Sequence, residues 1–314
     1  MTATHTGGDP ASGDPASGDS ATATFQAERP RLLGLAYRLL GSVADADDVV
    51  QEAWIRWSTV DHQTIERPAA WLTTVVSRLG LDRLQSRRRE RVDYVGPWLP
   101  EPLVRPVGSD DPEQASMLAD SLTTTFLVML ERLSPEERLV VLLVDVFGEP
   151  FHSVATLLDR TDESCRQLAV RARRKLSDGR DQSARRRTTR AEQLAVASAF
   201  VGAVVNGDIE AVTAMLTSSA VLTSDGGKDR HAARRPVVGP ARIARFMVNL
   251  AKRLPDGLAF DPVWVNGSPG AVISLNGTTI AVTELEINDG QIDRQYWMVN
   301  PDKLASIGRQ IELV

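Results

Sequence analysis

Apolar positions recur at helical spacing through the first half of this chain and alternate through much of the second. Ala46, Val49, Val50, Ala53 and Trp57 fall on one face of a helix opened by Ser42-Val43-Ala44-Asp45, which has the form of a capping box. Its other face carries Asp45, Asp47, Asp48 and Glu52. A second helix starts near Pro68, a residue suited to a first turn, and shows Leu72, Val75, Val76 and Leu79 as its apolar face. Further on, Ser134-Pro135-Glu136-Glu137 combines an N-cap, a first-turn Pro and a Glu three residues after the cap, predicting a helix over Arg138–Phe147 that ends at Gly148 and Pro150. Two short helices, about His152–Leu158 and Asp162–Leu176, are joined by Asp159-Arg160-Thr161, with Thr161 as N-cap of the second.

From about residue 192 the pattern changes. A helix over Glu192–Val205 breaks at Asn206-Gly207-Asp208 and another follows over Ile209–Leu216. Alternation then predicts strands over Pro262–Val265, Ala271–Leu275, Thr279–Ile287 and Gln291–Val299, the last two joined by a hairpin at Asn288-Asp289-Gly290. The punctuation gives the divisions. Residues 1–24, with GDPAS repeated in tandem, lack the apolar surface to offset ordering entropy and read as a disordered tail. Residues 25–95 form one helical module and 113–178 another, separated by a Pro-rich linker at 96–112 whose Trp98–Leu103 core is unusually apolar. An Arg-rich connector at 179–191 leads to an α+β domain at 192–314.

Composition removes several classes. The chain has 314 residues, 42% hydrophobic and 25% charged, ordinary for a globular protein of two or three domains. A single cysteine, Cys165, excludes an intramolecular disulfide and fits a reducing cytoplasm. One Cys and four His cannot assemble a Cys/His zinc spacing, so neither a metal nor another cofactor is expected. No apolar run approaches the ~20 residues of a membrane span. The N-terminus has neither the basic nor the apolar region of a signal peptide.

The formal net charge of −5 argues, on its face, against nucleic-acid binding. Its distribution argues otherwise. Segment 78–91 holds six Arg against two acids, and segment 166–190 holds ten basic residues against two acids. Such clusters are usually solvated faces or complements of helix C-terminal dipoles. Two of them closing two separate helical modules favour phosphate contact. In the second, Cys165, Ala169, Ala172 and Leu176 share the core-facing stripe, which turns Ser164, Arg166, Gln167, Arg171 and Arg174 outward or to the rim. A short helix, a three-residue turn and a second helix of this kind is the helix-turn-helix pattern, and its Arg and Gln could reach base edges in a major groove. Cys165 then reads as a small buried apolar residue. The acidic helix 45–57 would repel phosphate, and its Asp47, Asp48, Gln51 and Glu52 read as a protein-docking face.

Together these residues resemble a bacterial RNA polymerase sigma factor of the extracytoplasmic-function group. DADDVVQEAWIRW (Asp45–Trp57) is similar to conserved region 2.2, AWLTTVVSRLGLDRLQSRRRE (Ala70–Glu90) to regions 2.3 and 2.4, and Leu133–Leu176 to region 4. The linker GPWLPEPL (Gly96–Leu103), AARRPVVG (Ala232–Gly239) and NPDKL (Asn300–Leu304) resemble the SigJ type, which carries a fused SnoaL-like domain. The resemblance implies a multidomain fold: two all-α sigma modules and a C-terminal α+β SnoaL/NTF2-like cone. It implies a cytoplasmic protein, monomeric when free, whose partners are the clamp of core RNA polymerase and promoter DNA, with no membrane contact. Asp47, Asp48, Gln51 and Glu52 would meet the polymerase. Arg78, Arg83, Arg87, Arg88 and Arg89 would serve the −10 element. Ser164, Arg166, Gln167, Arg171 and Arg174 would serve the −35 element. Regulatory contacts would fall on Trp98, Leu99, Pro100, Glu101, Pro102, Asp225, Gly226, Gly227, Lys228, Asn300, Pro301, Asp302 and Lys303. The subgroup carries Asp-Gly-Gly-Gly-Lys where this chain has Lys228 and Asp229 in the last two places.

The C-terminal domain leaves alternatives open. It could pack on the sigma modules or linker and tune their spacing, bind a small molecule, or act as a cyclase- or isomerase-type enzyme with Asp225, His231, Asp261, Trp264, Tyr296 and Trp297 lining a pocket. No Ser-His-Asp spacing or Gly-rich phosphate loop supports catalysis, and no catalytic residue is expected. A plain helix-turn-helix repressor is the remaining class, from which the acidic docking helix distinguishes a sigma factor.

Overall fold

The computed structural model describes residues 15–90, 94–108, 122–177, 188–228, 230, 232–305 and 307. Helix α1 (Pro15–Leu40) opens the helical half and buries Phe25, Leu32, Leu33, Leu35, Ala36, Leu39 and Leu40. The tail expected over 1–24 is therefore too long, because residues 15–24 are helical. Composition missed this because the stretch is held by tertiary contact: Ala21 is buried and its carbonyl accepts from Trp57 Nε1 at 2.9 Å. The rest of that tail lies outside the described residues. Helix α2 (Val43–Thr59) is capped by Ser42, whose Oγ accepts from Asp45 N at 3.3 Å. The Asp45 carboxylate does not complete the capping box. It turns inward, only 3% exposed, and so leaves the acidic face where spacing placed it. Helix α3 (Pro68–Glu90) packs across both, with the Trp71 ring 5.5 Å from that of Trp57.

The next helices are α4 (Thr124–Leu130) and α5 (Pro135–Val141), the latter extended by a π-helical turn over Leu142–Val146. The Ser134–Glu137 capping box is complete, each side chain bonding the other's backbone N–H. Helices α6 (Phe151–Leu158) and α7 (Asp162–Ser177) form the expected helical hairpin. Asp159 turns the chain at φ 53°, and Thr161 Oγ1 accepts from Ser164 N at 3.2 Å. The two helical modules share one continuous core that runs from Leu39, Leu40, Val76 and Leu84 to Leu130, Leu139 and Leu143. Two buried arginines lie in the seam. Arg138 Nη1 donates to Leu39 O at 2.8 Å and its Nη2 pairs with Glu131 at 2.5 Å. Arg38 is stacked 5.6 Å from the Phe147 ring, and burial lowers its pKa to about 10. The two modules, which the sequence separates by a Pro-rich linker, thus pack directly on each other.

The C-terminal half contains α8 (Arg190–Val205), α9 (Ile209–Ala214), β2 (Leu216–Asp225), β3 (Val237–Val238), α10 (Pro240–Ala251), β4 (Leu258–Val265), β5 (Ser268–Leu275), β6 (Thr278–Asn288), β7 (Gln291–Met298) and the one-turn α11 (Pro301–Leu304). Thr189 caps α8, so this domain begins within the segment expected as connector, most of which lies outside the described residues. The linker at 96–112 is also more than a linker. Its strand β1 (Val104–Pro106) pairs with β4 and forms one edge of a seven-stranded sheet of order β1-β4-β5-β6-β7-β2-β3. Strands β2 and β7 pair in parallel, and the other strand pairs among the described residues are antiparallel. The β6–β7 hairpin turns through Asp289 and Gly290, at φ 50° and 78°, as Asn-Asp-Gly predicted. The same geometry recurs at Asn266-Gly267 and Asn276-Gly277. One sheet face buries Leu222, Leu285 and Ile292 against α8, α9 and α10. The other buries Val263, Val265, Val272, Val282 and Met298 against Leu99 of the linker and Leu304 of α11.

Candidate nucleic-acid interface and interdomain junction

The α7 surface is built by its core stripe. Cys165, Leu168, Ala169 and Ala172 are buried, and burial pushes the Cys165 thiol pKa up, as expected for a packing residue. Arg166, Gln167, Arg171 and Arg174 are exposed and Ser164 is half-buried at the rim. The cations on this helix have different local partners. Arg173, which spacing did not single out, grips Asp145 at 2.5 Å, and Lys175 holds Glu137 at 2.7 Å. Arg166 lies 3.8 Å from Asp162 and over the Phe151 ring. Gln167 Nε2 donates to Glu163 at 3.3 Å. Arg171 and Arg174 have no ion pair among the described residues, which leaves their charge available for phosphate or base edges.

On α2, Asp48 and Gln51 are exposed and Asp47 and Glu52 half-buried, along one ridge that also exposes Ile55. Asp47 is 3.4 Å from Arg29, and Glu52 is bonded to Arg56 one turn on. On α3, Arg78 is exposed. Arg83 and Arg87 converge on the buried Asp45 at 2.8 and 2.5 Å, so they tie α3 to α2. The side chains of Arg88 and Arg89 lie outside the described residues.

The linker is held from both sides. On the helical side, Glu101 accepts from Ser42 Oγ and Val43 N, each at 2.8 Å, and its own N–H donates to Gly41 O at 2.9 Å. Tyr37 OH donates to Glu101 O at 2.6 Å. A Cβ on Gly41, at φ 66°, would sit 2.4 Å from the Trp98 ring. On the sheet side, the fully buried Asp225 carboxylate accepts from Tyr94 OH at 2.5 Å, Leu99 N at 2.8 Å and Lys303 Nζ at 2.6 Å. Lys303 also donates to Leu99 O and lies under the Trp98 ring at 4.2 Å. Asn300 caps α11 and donates to Tyr94 OH at 2.9 Å, and a Cβ on Gly227 would meet Asn300 at 2.7 Å. Three sequence-distant segments thus converge on one buried ion pair. Pro100 and Pro102 are buried along the linker, and Gly226 is buried beside the junction. Lys228, Pro301 and Asp302 are exposed at its margin.

A second contact escaped sequence reasoning. Thr124 Oγ1 donates to Glu284 at 2.5 Å, and Thr125 donates through N and Oγ1 to Glu286 at 3.1 and 2.6 Å. Tyr296 OH is 2.6 Å from Thr125 Oγ1. Two β6 acids therefore seat the first turn of α4 by accepting from its hydroxyls and a first-turn N–H. Burial holds both carboxyls above the usual carboxylate range, with the Glu286 charge adding to the rise at Glu284. The alternation Glu-Leu-Glu was the available signal, but strands carry such patterns on solvated faces too.

Among the described residues, the side chains considered for an enzyme pocket point to different partners. Asp225 serves the linker and Tyr296 serves Thr125. Trp264 lies under Arg190, Asp261 is exposed, and Trp297 packs toward the opposite sheet face. His231 lies outside the described residues. Among the described residues no group of three or more His, Cys, Asp or Glu is placed to hold a metal. No described helix is long and apolar enough to cross a membrane.

A helical pair carrying an acidic ridge, a helix-turn-helix with free cations, and a sheet domain that grips the linker between them define a transcription-initiation architecture. The family models for Sigma-70 region 2 and Sigma-70 region 4 match residues 24–90 and 124–176. The chain is 37% identical to the ECF RNA polymerase sigma factor SigJ of Mycobacterium tuberculosis, covering 90% of this chain and 92% of that one. It is 32% identical to the probable ECF sigma factor SigI of the same organism, covering 92% and 97%. The crystal structure of M. tuberculosis SigJ superposes with a TM-score of 0.73 at 33% identity, covering 92% of this chain and all of that one. The chain belongs to the extracytoplasmic-function sigma factor family.

Proposed function

We propose that this chain docks on the clamp of core RNA polymerase through the α2 ridge of Asp47, Asp48, Gln51 and Glu52, and serves the −10 element through α3 and the −35 element through α7. It works in the cytoplasm, as a binding protein rather than an enzyme. The C-terminal domain holds the sigma modules closed through the linker. The observation that carries this last part is the linker gripped at both ends, by Glu101 on Ser42 and Val43 and by Leu99 on Asp225 and Lys303. In vitro transcription with core polymerase tests it. Full-length Lys303→Met and a chain truncated after about residue 195 should both differ strongly in output from the intact protein. An unaltered profile for both would remove the regulatory role.

One observation favours a ligand-sensing C-terminal domain as a second reading. Gln295 is 1% exposed between Leu222 and Leu285, and among the described residues neither its Oε1 nor its Nε2 has a partner. Trp297 Nε1, on the same sheet face, also has no partner among the described residues. Burial without a hydrogen bond is costly, so a small neutral molecule bonding these groups would stabilise the domain. Thermal shift against a metabolite panel, with Gln295→Leu as the insensitive control, tests that reading.

A further inference from the structure

The exposed side of α7 carries one large apolar residue that the polar and cationic reading leaves unexplained. Val170 is 63% exposed. With Cys165, Leu168, Ala169 and Ala172 buried, the ridge diametrically opposite the core is Glu163, Gln167, Val170 and Arg174, flanked by Arg166 and Arg171. Val170 therefore stands in the middle of the surface that would enter a major groove. Stability does not account for it. A β-branched residue in an exposed helix position is slightly worse than Ala, and its apolar surface gains nothing in water.

The groove supplies a reason. Among the base edges it displays, the thymine C5-methyl is the apolar feature, and aliphatic side chains read it by contact. The spacing sets successive side chains of this ridge roughly one to two base-pair rises apart. Val170 lies roughly 4.5 Å along the helix from Gln167 and roughly 6 Å from Arg174, against a base-pair rise of roughly 3.4 Å. Gln167 matches the two edge groups of adenine and Arg174 those of guanine or a phosphate. The unpaired charges of Arg171 and Arg174 would bring the phosphates alongside.

We infer that Val170 is a specificity residue that reads a thymine methyl in the promoter element engaged by α7. The inference rests on α7 serving the −35 element. Its test keeps the two claims apart. The full-length protein with core polymerase is used to enrich binding sites from a duplex pool randomised across the upstream element. Each thymine of the enriched site is then replaced singly by deoxyuridine, which lacks only the methyl. Wild-type holoenzyme should bind one of these duplexes about fourfold more weakly, the worth of one buried methyl-sized group. Val170→Ala, a change that favours the helix, should bind the thymine and deoxyuridine duplexes equally. Arg174→Ala should weaken both alike. The inference is overturned if the enriched site has no thymine, if no replacement matters to wild type, or if Val170→Ala keeps the full difference. A pool that returns no enriched sequence overturns the promoter reading, and this inference with it.

Discussion

Lys303 shows how much one residue carries. Its ammonium is buried against Asp225, the Leu99 carbonyl and the Trp98 ring. A buried pair contributes little relative to an apolar substitute, but removing one partner strands the other charge. Lys303→Met should therefore cost about 3–5 kcal/mol, measured by denaturant unfolding of the full chain. Lys303→Met with Asp225→Leu should recover part of that loss, and a double variant as unstable as the single would count against the pairing. On α7 the free cations predict a different signature. Arg171→Ala and Arg174→Ala should each flatten the salt dependence of promoter binding by about one unit of slope. Arg173→Ala, whose guanidinium already holds Asp145, should affect the helical hairpin's stability more than the slope.

At the scale of elements, the contact between α4 and β6 predicts pH dependence. Glu284 and Glu286 have raised pKa values in the packed state, so that state favours protons more than the open one. Its stabilisation is complete below the ordinary carboxylate range and is lost as pH climbs through the raised values. Tyr296 and Arg294 share the face, and Asp293 adds charge nearby. Amide exchange at Thr125 should quicken as pH rises beyond its ordinary base-catalysed trend. Glu284→Gln should flatten that excess, and an identical profile in the variant would argue that the carboxyls do not control the contact. The elements themselves were largely legible. The Ser134 capping box, the Thr161 cap and the Asp289-Gly290 hairpin are local chemistry, and each formed where the residues placed it. Strands β2 and β3 and helix α10 were not read. Strand β2, LTSSAVLTSD, is too polar to declare itself, and its ladder depends on β7 some seventy residues later.

For the whole molecule, the shared core of the two sigma modules is the decisive feature. A separation of the two modules on polymerase would part Leu39 and Leu40 from Leu139 and Leu143 and free Arg138 from the Leu39 carbonyl. Fluorophores placed at Ser58 and Ser177, both exposed and outside the docking ridge, should report a longer distance when the protein joins core polymerase. An unchanged distance would mean that this packing is also the working state. Net charge belongs to the same scale. The −5 total hides two Arg-rich segments, and it suits a protein that binds promoters weakly alone and tightly on polymerase.

The sequence by itself determined the helical modules, the helix-turn-helix, the α+β domain and the family, because periodicity, caps and motif order are local. It also singled out the linker, the Asp225 loop and NPDKL, through resemblance, as segments expected to make regulatory contacts. Only the tertiary structure decided what those residues touch. Asp225, Leu99 and Lys303 meet because the sheet brings the linker, the end of β2 and α11 together, across as many as 204 positions of sequence. Likewise Asp45 looked like part of an acidic surface until α3 brought Arg83 and Arg87 over it. A charge declares its type in the sequence, but its partner is fixed by packing.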